Sequence, residues 1–261
     1  MHTTTKLLLS SALLLGVSSA SHAASIVTDD FSSNTITSDN RLRIGHTANN
    51  WIKFSSSEWA VSGGVVSNPG TTAGIPSEGG LLRVFDVGAA GLADYTELTF
   101  SFDYNVGADA TLYFHAYGLY NGTTTGNNTQ LHNTGVQNGT IQTQFDGSPT
   151  ANQGDFTGIN FKDGSLGGAG NASTAFSGAL TGSGTFTQTI VLGEGAFATA
   201  GVNDINDLQY LTMGWGSNVT TTTGTGAISI DNFSVTAIPE PSSSALLLGG
   251  LGALVLRRRR G

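Results

Sequence analysis

The most constraining stretch of this chain is 95–105, where Leu98, Phe100, Phe102 and Tyr104 alternate with Glu97, Thr99, Ser101 and Asp103. A period of two sends successive side chains to opposite faces of a β-strand. This segment therefore needs a core on one side and water on the other. Burying Leu98, Phe100 and Phe102 is worth about 1.5–3 kcal/mol each before entropy is counted. A chain containing such a strand must supply a second layer to cover it.

Further segments carry the same period. Strands are expected over 26–31, 41–44, 51–54, 81–87, 110–120, 140–145, 185–192, 208–215 and 227–235, and a hairpin over 58–66 turning at Ser62-Gly63. On 110–120, Leu112, Phe114 and Ala116 share one face and Tyr113, His115 and Tyr117 the other. In 227–235, Ile228 and Ile230 have one parity and Phe233 and Val235 the opposite one. Keeping all four in a core demands a bulge at Asp231-Asn232. Stretches 121–139 and 146–184, rich in Gly, Asn, Thr and Ser, are expected to be long surface loops. Between the two termini no helix-period pattern appears, 37 glycines punctuate the chain and only 11% of residues are charged. The expected fold is all-β: an antiparallel β-sandwich of jelly-roll type, with its first and last strands as neighbours.

Both ends of the chain differ from its body. Residues 1–23 have the form of a secretory signal peptide: Lys6, an apolar run over 7–17, then Ser21-His22-Ala23 with small residues at −3 and −1. Cleavage is expected after Ala23. The tail, 238–261, begins with Ile238-Pro239-Glu240-Pro241, whose prolines keep it extended, and continues through Ser242–Ser244. Residues 245–256 carry no polar side chain, and Arg257, Arg258, Arg259 and Arg260 follow. As a helix 245–256 spans about 18 Å against a hydrocarbon core of about 30 Å, and the serines and snorkelling arginines narrow that gap. A transmembrane helix over 245–256 is expected, with the arginines cytoplasmic and everything before Pro239 on the far side.

Pro239-Glu240-Pro241, the apolar run and Arg257–Arg260, in that order at the end of the chain, resemble the PEP-CTERM sorting signal of Gram-negative bacteria. The resemblance implies recognition by an exosortase, a membrane-embedded cysteine transpeptidase-like enzyme. It also implies an inner-membrane-anchored precursor, cut near the motif, and a mature body at the cell surface or in the extracellular matrix. Such proteins typically belong to bacteria that make extracellular polysaccharide. The body, 24–237, loosely resembles the carbohydrate-binding-module-like sandwiches of exported bacterial proteins.

Without the ends, the body has five positive side chains (Arg41, Arg43, Lys53, Arg83 and Lys162) against seventeen acidic ones, a net of −12. That balance excludes nucleic acid and anionic lipid as bulk partners and favours cations or neutral sugars. No cysteine is present, so burial or metal, and not disulfides, must hold an exported fold.

Two candidate sites follow. If the terminal strands are neighbours, Asp29, Asp30 and Asp231 could converge on a structural Ca2+, which takes six to eight oxygen ligands; the alternative is solvated strand-end aspartates. Tyr113, His115 and Tyr117, with Trp51 or Trp215, could stack on sugar rings if their face is open; the alternative is that long loops cover it or that it packs as a second half of the core. Enzyme signatures are poor. No Gly-x-Ser-x-Gly elbow occurs, a thiol nucleophile is impossible, and His46, His115 and His132 lack zinc-site spacing. Glu58, Glu78, Glu97 and Glu194 could supply a glycosidase pair only if folding brings two together in a cleft. The expected function is a non-enzymatic surface or matrix protein with a structural or adhesive role beside extracellular polysaccharide and no cofactor beyond that Ca2+. A carbohydrate-binding module and a polysaccharide-acting hydrolase are the alternatives.

Overall fold

The computed structural model describes residues 23–32, 35–38, 42–43, 51–53, 58–70, 80–88, 95–120, 130–132, 136–137, 140–143, 157–162, 166–167, 171–174, 176–219 and 226–239. Two compact units divide the chain: Ala23–Glu240, and Met1–His22 with Pro241–Gly261. The described residues all belong to the first. The expected signal peptide and the 245–256 helix lie outside them. Among the described residues no helix is long and apolar enough to cross a membrane.

The strands, in chain order, begin with β1 (Ala24–Asp29), β2 (Ile36–Ser38), β3 (Leu42–Arg43), β4 (Trp51–Lys53), β5 (Ala60–Ser62) and β6 (Val65–Asn68). Next come β7 (Leu81–Asp86), β8 (Tyr95–Val106), β9 (Ala110–Tyr120), β10 (Gln130–His132), β11 (Val136–Gln137) and β12 (Thr140–Thr143). The remainder are β13 (Thr157–Asn160), β14 (Leu166–Gly167), β15 (Asn171–Thr174), β16 (Gly182–Val191), β17 (Tyr210–Val219) and β18 (Ile228–Pro239). One six-stranded sheet runs β16-β8-β18-β6-β5, with β1 also on β18; a seven-stranded sheet runs β14-β13-β9-β17-β7-β4-β2. Two small sheets, β10-β3 and β11-β12-β15, complete the set. Pairing is antiparallel except between β2 and β4, which run parallel.

The two large sheets face each other across an aromatic core. Leu98, Phe100 and Phe102 of β8 are fully buried, as the alternation requires. Phe102 meets Phe114 of β9 at 5.0 Å between ring centroids, and Trp215 of β17 meets Phe233 of β18 at 5.1 Å. Each of these pairs joins one sheet to the other, and tilted or edge-on rings suit their quadrupoles. The result is an all-β sandwich, as the composition implies.

In β18, Ile228, Ile230, Phe233 and Val235 are all buried. The register against β8 shifts between Asp231 and Ser234, and Asn232 has φ 51°. This is the expected bulge. The hairpin turns one residue later than expected, at Gly63-Gly64, where φ of 62° and 81° suits a two-residue turn that only glycine adopts freely.

Part of 146–184 is not surface loop. Strand β13 pairs with β9, and Ile159, Phe161 and Phe176 are buried in the main core. These few apolar residues are isolated among glycines and serines, so no periodic signal marks them. Between β16 and β17 lie a short helix, α1 (Gly195–Ala200), and a 3-10 turn, Ile205–Asp207, closed by reciprocal capping between Asp204 and Asp207.

Candidate functional site

Alternation along β1 turns Val27 and Asp29 inward, so an acid enters the space between the sheets. Its Oδ2 accepts hydrogen bonds from Trp51 Nε1 at 2.8 Å and Arg83 Nη1 at 2.6 Å, and its Oδ1 accepts from the Phe31 amide at 2.8 Å. Trp51 and Arg83 come from β4 and β7 of the opposite sheet, so one carboxylate ties the two layers together. The Arg83 guanidinium lies 4.4 Å from the centroid of Phe85 and 5.4 Å from that of Trp51. Burial pushes the Arg83 pKa down and Asp29 pushes it back up, the first effect being the larger.

This geometry disperses the expected calcium ligands. Asp29 is an interior acceptor facing a cation. Asp30 is exposed and accepts from the Ser32 amide at 3.0 Å and the Ser32 hydroxyl at 2.7 Å, which hold its carboxyl below the usual range. Asp231 sits beside Asp103 in the β18/β8 ladder, and its Oδ1 accepts from the Asn232 amide at 2.7 Å. Among the described residues no three His, Asp or Glu side chains gather as a metal site.

The Tyr113-His115-Tyr117 face is not an open platform. His115 is 0% and Tyr117 2% exposed, with Tyr113 half-buried. Their neighbours on the same face of the seven-stranded sheet, Thr212, Val84, Leu82 and Ile52, are buried too. Strand β3 lies near β7 and β11 near β17. Trp51 and Trp215 belong to the opposite, inter-sheet side, where they stack at 4.8 Å. The expected sugar platform is therefore a second buried layer, as the covered alternative anticipates.

Among the described residues, a more open polar surface is the outer face of the six-stranded sheet. In register across β16, β8 and β18 lie Thr185, Asp103 and Asp231; Thr187, Ser101 and Ser234; Thr189, Thr99 and Thr236. Strand β1 adds Thr28 beside Ser234 and Ser25 beside Thr236. Thr99 and Thr189 hydroxyls are 2.7 Å apart, and those of Ser101 and Thr187 3.0 Å. Thr185 Oγ1 donates to Asp103 Oδ1 at 2.5 Å and Asn232 Nδ2 to Asp103 Oδ2 at 2.8 Å, the first being the larger cause that keeps Asp103 below the usual carboxylate range. Sequence reading assigns Thr99, Ser101 and Asp103 to a wet face but cannot join them to the other strands, because the join depends on register between distant segments. The Thr185-x-Thr187-x-Thr189 repeat is the one local sign of it.

The last strand reaches Pro239, with Ala237 opposite Leu98 and Ala24, Ile238 opposite Glu97, and Pro239 opposite Tyr95. Glu240, Pro241 and Arg257–Arg260 lie outside the described residues.

Residues 237–260 match the PEP-CTERM protein-sorting motif, which marks an exported, membrane-anchored precursor processed by an exosortase. No curated protein matches the chain. Among solved structures, the fold is similar to the CBM2 module of the evolved Dit of Lactobacillus casei BL23 phage J-1, at 12% identity and a TM-score of 0.34, covering 83% of this chain and 96% of that one. It is also similar to the CBM22-1 xylan-binding domain of Xyn10C from Paenibacillus barcinonensis, at 9% identity and a TM-score of 0.29, covering 84% and 98%. A third similar structure is the family-7 alginate lyase A1-II', at 15% identity and a TM-score of 0.24, covering 76% and 94%.

Proposed function

We propose that the mature body is a non-enzymatic structural or adhesive protein of the cell surface, working beside extracellular polysaccharide. The observation that carries this reading is a sorting motif that starts on the last strand of a closed sandwich. The contact surface is the outer face of the six-stranded sheet, whose hydroxyl, amide and carboxylate groups match the hydrogen-bonding inventory of neutral sugars.

Two features weigh against hydrolysis. The half-buried carboxylate neighbours Asp103 and Asp231 sit side by side on the outer sheet face. Glycosidases need one carboxyl raised to act as an acid, and the Asp103 carboxyl is lowered. A binding module for matrix sugars is the second reading, favoured by the same hydroxyl ladder.

The test is co-sedimentation of the processed protein with insoluble matrix polysaccharide from the producing bacterium. Retention that falls in a Thr99→Ala/Ser101→Ala/Thr236→Ala variant supports the reading. Release of new reducing ends, or no retention of a correctly folded protein, overturns it.

A further inference from the structure

Every open sheet presents edges, and a long flat edge is a template for another strand. Here the edges differ in how they are managed. Strands β2, β5 and β14 have three, three and two residues. Strand β1 carries a register shift between Ser25 and Val27. Strand β16 has none of these devices. It is ten residues long, pairs with β8 in unbroken register from Gly182 to Val191, and among the described residues has no second strand beside it. Gly182–Thr185, Thr187, Thr189 and Val191 are exposed, Val191 being the exposed large apolar side chain among the described residues.

We infer that the free edge of β16 is a self-association surface, at which a second copy of this chain adds its own β16 antiparallel and joins the two six-stranded sheets into one. The occupant follows from charge and side-chain chemistry. A body carrying a net of −12 repels its own kind almost everywhere, whereas 182–191 contains no charged residue and no proline. A two-fold arrangement centred on Thr187 sets Thr187 against its counterpart and Thr185 against Thr189. Those are hydroxyl pairs of the type already formed on the inner side of the same strand, between Thr189 and Thr99 at 2.7 Å. Outward residues stay outward, so the hydroxyl face continues across the seam without a bulge.

The test is sedimentation velocity of the full chain in detergent micelles over a dilution series, with Thr187→Lys, Thr187→Glu and their equimolar mixture. The tail is common to all samples, so differences report on β16. Wild type is expected to show a concentration-dependent dimer, and each charged variant to weaken it about tenfold through like charges placed opposite each other. The mixture is expected to restore association. A wild type that stays monomeric, variants that dimerise like wild type, or a mixture as weak as either variant alone overturns the proposal. Thr187 is exposed, so circular dichroism of both variants should match wild type.

Discussion

Ala24 and Ala237 face each other across the β1/β18 ladder. The residue that follows the expected signal-peptide cut is thus paired with the residue at which the sorting motif begins. The expected signal-peptide cut and the start of the sorting motif thus lie at one end of one strand pair. Ala237 is fully buried, and Ile238 and Pro239 lie opposite Glu97 and Tyr95. Intact-mass spectrometry of the processed protein should therefore give a chain starting at Ala24 and ending no earlier than Pro239. A terminus upstream of Ala237 would contradict this, because it would remove part of a paired strand.

The Asp29–Arg83 pair should behave as a buried ion pair. Asp29→Leu or Arg83→Met alone leaves an uncompensated group between the sheets and is expected to cost about 3–5 kcal/mol. The double variant Asp29→Leu/Arg83→Met should lose less than the sum of the two single changes. Urea denaturation of the four proteins measures the coupling, and strict additivity would show that the pair acts as two independent residues.

Glycine positions should rank by what surrounds them, two in the seven-stranded sheet and one in the segment before β16. A Cβ at Gly214 would run into the Leu81 carbonyl oxygen and the Leu82 side chain, and one at Gly118 would lie 2.6 Å from Leu208 Cδ2. A Cβ at Gly178 meets nothing, leaving only the strain of φ 69°. Gly214→Ala and Gly118→Ala are expected to cost about 1–3 kcal/mol or more, with Gly214→Ala the worse because backbone cannot step aside. Gly178→Ala should cost about 1–2 kcal/mol. Thermal melts of the three variants check the order.

Acid should act partly through Asp103. Its folded pKa is depressed below 3.8 by the Thr185 and Asn232 hydrogen bonds. A depressed carboxyl pKa means the unfolded chain binds more protons, so the contribution is present above about 3.8 and is lost as pH falls through the folded value. Thr185→Val should raise the Asp103 pKa in an NMR titration and make the acid limb of stability shallower. An Asp103 resonance titrating identically in both proteins would contradict this cause.

Removing divalent metal should leave the melting temperature unchanged. Asp29 already accepts three hydrogen bonds, and Asp30 and Asp231 hold local amides. A fall in melting temperature on adding a chelator, reversed by Ca2+, would mean that a cation site exists beyond this cluster.

What the sequence disclosed depended on range. The alternation of β8, the limits of β9 and the phase slip at Asp231-Asn232 are local patterns, and each appears in the fold. Pairing of the first and last strands followed from general topology. The fate of the Tyr113-His115-Tyr117 face was not local. Parity separates two faces of a strand, but only the path of distant segments decides which is covered. The same holds for Asp29, whose partners Trp51 and Arg83 lie 22 and 54 residues away. Residues Ile159 and Phe161 were hidden because two apolar side chains in a glycine-rich run carry no period.

Strand β18 occupies the middle of the six-stranded sheet although it is the last strand of the chain. Until residue 239 has crossed the membrane, β16-β8 and β1 have no common neighbour, and that layer remains in fragments. The residues that complete this layer are thus the same few on which the sorting motif begins, so the sheet and the tail share one stretch of chain.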